Sequence, residues 1–150
     1  MDLIQHAREL YTTGRMHDAL EAAQAACDRA PKDSEAWALL GRISRHAGLP
    51  AASDEAFRRA SQLDSGRALP HRVSPERFRA LVLDAGAPAT VRVQPMPTEV
   101  QVRAGVDPDA LTHRDPAAPD VLVLFQVNHE NHSPSEDALR ALIVRSLARE

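Results

Sequence analysis

The sequence predicts an α+β fold in two parts, with helical hairpins at the N-terminus followed by a small domain of helices and strands. Gly14 and Gly48 lie 34 residues apart, and small residues recur at the same interval, as Ala26 and Ala60 do. This spacing indicates two similar helix pairs in the first part of the chain. Residues 119–127, PDVLVLFQV, form a continuous apolar run typical of a buried strand in the second part.

Four helices are predicted in residues 1–65, because apolar side chains recur there at helical spacing. Gly14 and Gly48 are expected to end the first and third helices, since glycine adopts a positive φ without steric cost. Ser34 is expected to cap the third helix, with Glu35 in its first turn. The predicted helices cover residues 3–13, 16–29, 34–48 and 50–63.

Residues 1–65 resemble two tetratricopeptide repeats, a helix-pair repeat whose period is 34 residues. The resemblance rests on this period and on Trp37, Leu40 and Gly41 near the start of the second unit. It implies a scaffold that holds protein partners and has no chemistry of its own. Two such repeats seldom bury enough surface alone. Their exposed end is therefore expected to pack on the second half, on further helices or on another chain.

The same resemblance implies a binding face, because the first helix of each repeat lines the concave side of the array. The register of the repeat places five side chains on or near that side: Arg8, Tyr11, Arg42, Arg45 and His46. Three guanidinium groups on one face would clamp the carboxylates of an acidic peptide or of a chain terminus. The alternative is a solvated, salt-bridged helix face on which the arginines pair with Glu9, Glu35 and their neighbours.

A linker is predicted over residues 66–73, which are rich in residues that interrupt helices, and a small α+β domain over residues 74–150. Ser74-Pro75-Glu76 predicts the start of the fifth helix. Serine is an N-cap residue, proline is tolerated in the first turn, and an acid is favourable at the positive end of a helix dipole. Gly86 and Pro88 are expected to end this helix.

Short strands and a closing helix are predicted after the fifth helix. Val91 and Val93 alternate with polar residues, as do Val100 and Val102, on either side of Pro95-Met96-Pro97, so each pair predicts a strand. The further predictions are a loop over residues 104–120, the strand over 119–127, a loop over 128–135 and a last helix over 136–149. This order of elements is typical of an α+β domain.

Several short motifs of the second half resemble the minimal zincin-like metallopeptidases of bacteria. The first is the Ser-Pro-Glu-x-Phe helix start at Ser74, and the second is VRVQPMP at residues 91–97. The third is the turn Gly105-Val106-Asp107-Pro108, and the last is the buried strand that precedes the closing helix. The resemblance covers about residues 73–150 and implies a zincin-like fold.

The zincin motif His-Glu-x-x-His falls on the closing helix of that family, where two histidines bind zinc and the glutamate activates a water. The corresponding positions of this chain are Arg145, Ser146 and Arg149. Arginine is permanently charged and has no lone pair to donate to a metal. The resemblance therefore implies a pseudoenzyme without a cofactor, and an unrelated α+β domain is the alternative.

His129-Glu130-Asn131-His132 is the remaining candidate for metal binding, with one residue too few for the helical motif. A loop would bring His129, His132 and His113 together, with Glu130 or Asp115 as an oxygen ligand. Such a site would hold zinc in a metal-dependent hydrolase. The alternative is a polar, exposed turn that contains two histidines and has no metal.

The composition argues against several classes of partner. A formal charge of −3, a pI of about 6.2 and only 3% aromatic residues predict neither nucleic-acid binding nor attraction to an anionic membrane. Cys27 is the single cysteine, so it forms no internal disulfide, and helical spacing predicts that it is a buried apolar residue. The N-terminus is not typical of a signal peptide and no stretch is typical of a membrane helix, which predicts a cytoplasmic protein. The arginine-rich composition predicts a bacterial source.

The functional prediction is a protein–protein interaction adaptor that binds an acidic peptide or protein through the repeat face. One alternative is a metal-dependent hydrolase that uses His129, Glu130 and His132 with zinc. The other is a structural subunit that associates with copies of itself into a homo-oligomer.

Overall fold

A computed structural model describes residues 2–149 of the chain and has an α+β architecture. Its helices are α1 (Leu3–Thr12), α2 (Met16–Arg29), α3 (Ser34–His46), α4 (Pro50–Leu63), α5 (Pro75–Asp84), α6 (Glu99–Arg103), α7 (Gln126–Asn131) and α8 (Glu136–Ala148). Its strands are β1 (Val91–Gln94), β2 (Thr112–His113) and β3 (Leu122–Phe125). In the described part of the chain, no helix is both long enough and apolar enough to cross a membrane.

The described residues form two compact units, and the division is not a single cut in the sequence. Unit one contains residues 2–69 together with Thr98–Pro108, and unit two contains Pro70–Pro97 together with residues 109–149. The prediction placed Thr98–Pro108 inside the second domain, whereas in the structure this segment packs with the N-terminal helices. The reason is that Val102 is buried in the apolar core of unit one.

Unit one consists of two helical hairpins, α1 with α2 and α3 with α4, and the four predicted helices are confirmed within a few residues. Gly14 and Gly48 follow the first helix of each hairpin with φ values of 81° and 80°, as expected for glycine at a helix end. The third helix differs in one detail from the prediction. Its N-cap is Asp33, whose side chain accepts a hydrogen bond from the amide of Glu35 at 2.9 Å, and Ser34 is its first residue.

Small residues let the two helices of the second hairpin approach closely. A Cβ atom added at Gly41 would lie 3.0 Å from three ring carbons of Phe57, so the aromatic ring occupies the space that a side chain would need. The hydroxyl of Ser53 donates a hydrogen bond to the carbonyl oxygen of Gly41 at 2.6 Å, so the buried hydroxyl has a partner where the two helices meet. Close packing therefore explains why glycine and serine stand at these positions.

Unit two has a three-stranded sheet in the order β1-β3-β2. Strand β3 pairs parallel with β1 and antiparallel with β2, so it is the central strand. The strand predicted over residues 119–127 is confirmed for Leu122–Phe125, whereas Gln126 and Val127 already belong to helix α7. Helices α5 and α8 pack together and contribute to the core with this strand. Ser74 and Ser135 cap these two helices by accepting hydrogen bonds from the amides of Arg77 and Ala138.

The predicted strand at Val100 and Val102 is wrong, because these residues lie in the short helix α6. Thr98 and Gln101 form a capping box, in which each side chain accepts a hydrogen bond from the backbone amide of the other residue, at 3.1 and 2.9 Å. The local capping bonds outweigh the period-two spacing of the valines. Only Val102 is buried, whereas Val100 is 78% exposed.

The predicted loop over residues 128–135 is also wrong in its first half, because Gln126–Asn131 form helix α7 directly after the central strand. The side chains of this helix are held by polar partners from distant parts of the sequence, which no local pattern indicates. The predicted loop over 104–120 contains the strand β2. This strand has two residues, which are too few to show a periodic pattern in the sequence.

Candidate peptide-binding face and buried polar cluster

The predicted repeat face lies on α1 and α3 of unit one, and its arginines differ in their surroundings. Arg8 forms an ion pair with Glu35, and both side chains are partly exposed. This is the helix-to-helix pairing that the salt-bridged alternative predicted for Arg8. Arg42 and Arg45 lie on α3 and are each half-buried. Because the Arg8–Glu35 pair is open to solvent, it contributes little to stability and its partners can be exchanged at low cost.

Tyr11 and His46 form the apolar end of the same face. Their rings meet edge to face, with centroids 5.2 Å apart and an angle of 80° between the planes. Tyr11 is buried, so its ring supports the imidazole and offers little of its own surface to a partner. The Nε2 atom of His46 lies 3.1 Å from the carbonyl oxygen of Pro108. A carbonyl oxygen only accepts, so Nε2 carries the proton in this contact.

Residues 98–108, called the clip segment below, cover that end of the face. Val102 is 2% exposed and belongs to the apolar core of the hairpins. The Nε atom of Arg103 donates to the carbonyl of Gly14 at 3.3 Å, next to the C-terminus of α1, where a positive charge is favourable. A Cβ atom on Gly14 would lie 2.6 Å from Cγ of Arg103, so the segment lies directly against this glycine.

A shallow groove of about 450 Å³ lies between α1 and α2 in the same unit. Leu3, Leu10 and Ala22 give it apolar walls, while an ion pair of 2.6 Å between Arg15 and Asp18 stands at its edge.

The metal candidate His129 is completely buried in unit two, and both of its ring nitrogens have partners. Nδ1 lies 2.8 Å from the carbonyl oxygen of Phe125, and Nε2 lies 2.8 Å from the hydroxyl oxygen of Ser146. Since a carbonyl only accepts, Nδ1 carries the proton and Nε2 accepts from the serine. Burial lowers the pKa of His129 to about 4, although the Phe125 carbonyl opposes the shift, and His132 adds to it.

Glu130 is also buried, at 2% exposure, and accepts hydrogen bonds from three donors. Its Oε1 atom accepts from Nη1 of Arg72 at 3.2 Å. Its Oε2 atom accepts from the amide of Val73 at 3.1 Å and from Nε2 of Gln126 at 3.0 Å. A buried carboxylate with an arginine partner and two further donors is a structural tie between α7 and the segment before α5.

The other candidate ligands do not join His129 and Glu130. His132 is exposed, His113 lies in β2, and the exposed Asp115 accepts a hydrogen bond from the amide of Ala117 at 2.9 Å. Among residues 2–149, no three histidine, cysteine, aspartate or glutamate side chains are grouped so that they could hold a metal. The alternative of an exposed turn is wrong for His129 and Glu130, because helix α7 places both in the interior.

The positions that the zincin resemblance assigns to the missing motif lie near the end of α8. Arg145 and Arg149 are exposed, whereas Ser146 is 4% exposed and donates to His129. A serine hydroxyl on an imidazole is the pairing of a nucleophile with its base. Here both groups are buried in the protein, out of reach of a substrate, and the contact joins α7 to α8.

Cys27 is buried in the hairpin core, as predicted. Burial, together with the nearby carboxylates of Asp28 and Asp33, raises the pKa of its thiol to about 12. The thiolate is therefore strongly disfavoured, which makes the side chain a packing residue and a poor nucleophile.

Sequence reasoning missed residues that hold each of these sites in place. The clip segment had one local signal, since Thr98 and Gln101 fit a capping box. Arg72 had none, because its partner Glu130 lies 58 residues away in the sequence. No protein-family model matches the chain, and neither a curated protein nor a solved structure is significantly similar to it.

Proposed function

We propose that this chain is a protein–protein interaction adaptor whose repeat-like helical hairpins bind an acidic peptide. The contact surface on α1 and α3 would consist of Arg8, Arg42, Arg45 and His46, with the buried ring of Tyr11 supporting the imidazole from behind. Unit two would be a second, non-catalytic domain, in keeping with the arginine and serine at the positions of the zincin motif.

The observation that carries the proposal is the contact between His46 and the main-chain carbonyl of Pro108. This part of the face holds an irregular peptide segment through its backbone, with Tyr11 behind the imidazole. A backbone contact is independent of the side chains of the bound segment, which suits a surface that recognises peptides. Selectivity for acidic peptides would come from the adjacent guanidinium groups, which form bidentate hydrogen bonds with carboxylates.

Arg8 supports the proposal because its present partner is a carboxylate. Glu35 occupies the place that a partner's acidic side chain would take, and their ion pair is exposed to solvent. Exchanging one exposed carboxylate for another costs little, about 0–1 kcal/mol. Binding would therefore depend on several arginines acting together and would weaken as the salt concentration rises.

The proposal is tested by the fluorescence anisotropy of a labelled hexaglutamate peptide with a free C-terminal carboxylate. We expect saturable binding at low salt, and a loss of about tenfold or more in affinity for Arg42→Glu or Arg45→Glu. The matched control is Arg59→Glu, which makes the same change of charge on the exposed side of α4 and should bind as the wild type does. Equal losses in all three variants would mean that only net charge matters, and no binding at all would refute the acidic-peptide proposal.

The metal-dependent hydrolase lacks comparable support. Both ring nitrogens of His129 are used inside the protein, and Glu130 is held by three donors, so a metal would have to displace these contacts. The adaptor requires no rearrangement in unit two.

A further inference from the structure

We infer that the clip segment, Thr98–Pro108, is a built-in peptide ligand that occupies the Tyr11–His46 end of the repeat face, and that a partner must displace it to use this end. The inference rests on the proposed function for the identity of the partner. The occupancy itself rests on contacts within unit one alone.

Contacts of three different kinds connect the clip segment to the hairpins. Val102 inserts one apolar side chain into their core, Arg103 donates to the carbonyl of Gly14, and the carbonyl of Pro108 accepts from His46. The remainder of the segment is largely exposed, including Val100. This is the binding mode of a short peptide, with an apolar anchor at Val102, a charged contact at Arg103 and a backbone hydrogen bond at Pro108, which is itself buried.

The clip segment is also suited to release. Its helix α6 has five residues, fewer than a helix needs to be stable without tertiary contacts. Its capping box consists of two hydrogen bonds between Thr98 and Gln101, which both belong to the segment. These bonds can persist after Val102 leaves the core. The ligand that fits the surface is therefore one capped helical turn with an apolar residue followed directly by arginine.

A partner that presents this chemistry in trans would compete with the clip segment for the same contacts. A partner that is acidic would meet Arg8, Arg42 and Arg45 first and would then compete with Pro108 for His46. In both cases the wild-type protein has the lower apparent affinity, because occupancy by the cis ligand reduces the fraction of molecules that are competent to bind.

The test uses the full chain and a labelled synthetic peptide with the sequence of residues 98–108, TEVQVRAGVDP. Val102→Asp should expel the anchor from the core and open the site, so that the peptide binds this variant at least tenfold more tightly than it binds the wild type. Val100→Asp is the matched control, because it places the same acid on the same helix at an exposed position, and it should behave as the wild type does. A folded Val102→Asp variant that fails to bind the peptide would refute the inference, as would equal binding to all three proteins.

A second variant keeps the inference testable if Val102→Asp does not fold. Arg103→Ala removes the contact with Gly14 and leaves the core intact, so amide hydrogen exchange should become faster in residues 98–108 and stay unchanged in α2. Unchanged exchange in the segment would refute the inference.

The hexaglutamate peptide is then added to the opened variant. If the clip peptide binds and hexaglutamate does not, the built-in ligand is supported and the acidic-peptide function fails. If hexaglutamate binds the wild type and the opened variant equally while the clip peptide binds neither, the function stands and the built-in ligand is refuted.

Discussion

The two units of this protein bury different kinds of side chain. Unit one has a core of alanine, leucine and a few larger apolar residues, and its buried polar side chains are the hydroxyls of Ser44 and Ser53. Unit two buries an imidazole and a carboxylate in one helix. The stability of a unit with an alanine-rich core tolerates substitutions at the protein surface and is insensitive to pH. A buried polar cluster depends on every partner and on protonation, because each unsatisfied group costs free energy.

The largest effect that separates the units is expected from Glu130→Ala. Removing the carboxylate leaves Arg72, the amide of Val73 and Gln126 without their acceptor, which should lower the free energy of unfolding by about 3–5 kcal/mol. Urea denaturation followed by circular dichroism measures the change. Glu136→Ala is the control, since its ion pair with Arg77 is at the surface, and it should cost far less. Similar losses in the two variants would contradict the structural role of Glu130.

The next effect is the dependence of stability on pH. The pKa of His129 is about 4 in the folded protein and has the ordinary histidine value of 6.5 in the unfolded chain, so the unfolded chain binds more protons between these values. Its contribution to stability is therefore complete above the unfolded pKa and is lost as the pH falls towards the folded pKa. Between pH 7.5 and 4.5 the loss from this residue should be about 2–3 kcal/mol.

Urea unfolding at a series of pH values, compared with the variant His129→Gln, isolates this contribution. The variant should be less stable at neutral pH and should have a flatter pH profile, because the glutamine that replaces His129 does not titrate. His132→Gln, at an exposed position on the same turn, should keep most of the wild-type slope, because His132 contributes less to the lowered pKa of His129 than burial does. A wild-type slope in His129→Gln would show that other groups cause the acid sensitivity.

The smallest effect concerns the glycines that follow the first helix of each hairpin in unit one, since both have a φ near 80° and only Gly14 lies against the clip segment. Gly14→Ala and Gly48→Ala both place a side chain at a φ near 80°, which costs about 1–2 kcal/mol. The Cβ atom at Gly14 also meets Arg103 at 2.6 Å, whereas the one at Gly48 meets nothing within 4 Å. The free energy of unfolding should therefore fall by about 1 kcal/mol more for Gly14→Ala. Equal losses in thermal or urea unfolding would contradict the packing of the clip segment on Gly14.

The helices of unit one could be predicted from the sequence because their signals are local. Glycines that need a positive φ mark two of the helix ends, and apolar residues at helical spacing mark the buried sides. The central strand and the caps of α5 were predicted for the same reason. The binding face remains a prediction, because the contacts describe where Arg8 and His46 lie and not what a partner does with them.

The helices α6 and α7 were not predicted, for different physical reasons. At Val100 and Val102 two local signals compete, and the capping box of α6 outweighs the alternation of valines. Helix α7 has no local signal of either kind. Its polar residues are placed by groups that lie far away in the sequence, such as the amide of Val73, which is 57 residues from Glu130.

The sequence by itself determined where the helices of the hairpins begin and end, since capping, glycine conformation and side-chain spacing act within a few residues. It also determined that a buried strand lies within residues 119–127, because so continuous an apolar run is typical of a strand covered on both faces, and the structure forms it over Leu122–Phe125. Only the tertiary structure decided that His129 and Glu130 are interior groups and that Val102 belongs to the core of unit one. Burial of a polar group depends on whether distant donors and acceptors meet it, and that information is absent from any short stretch of the chain.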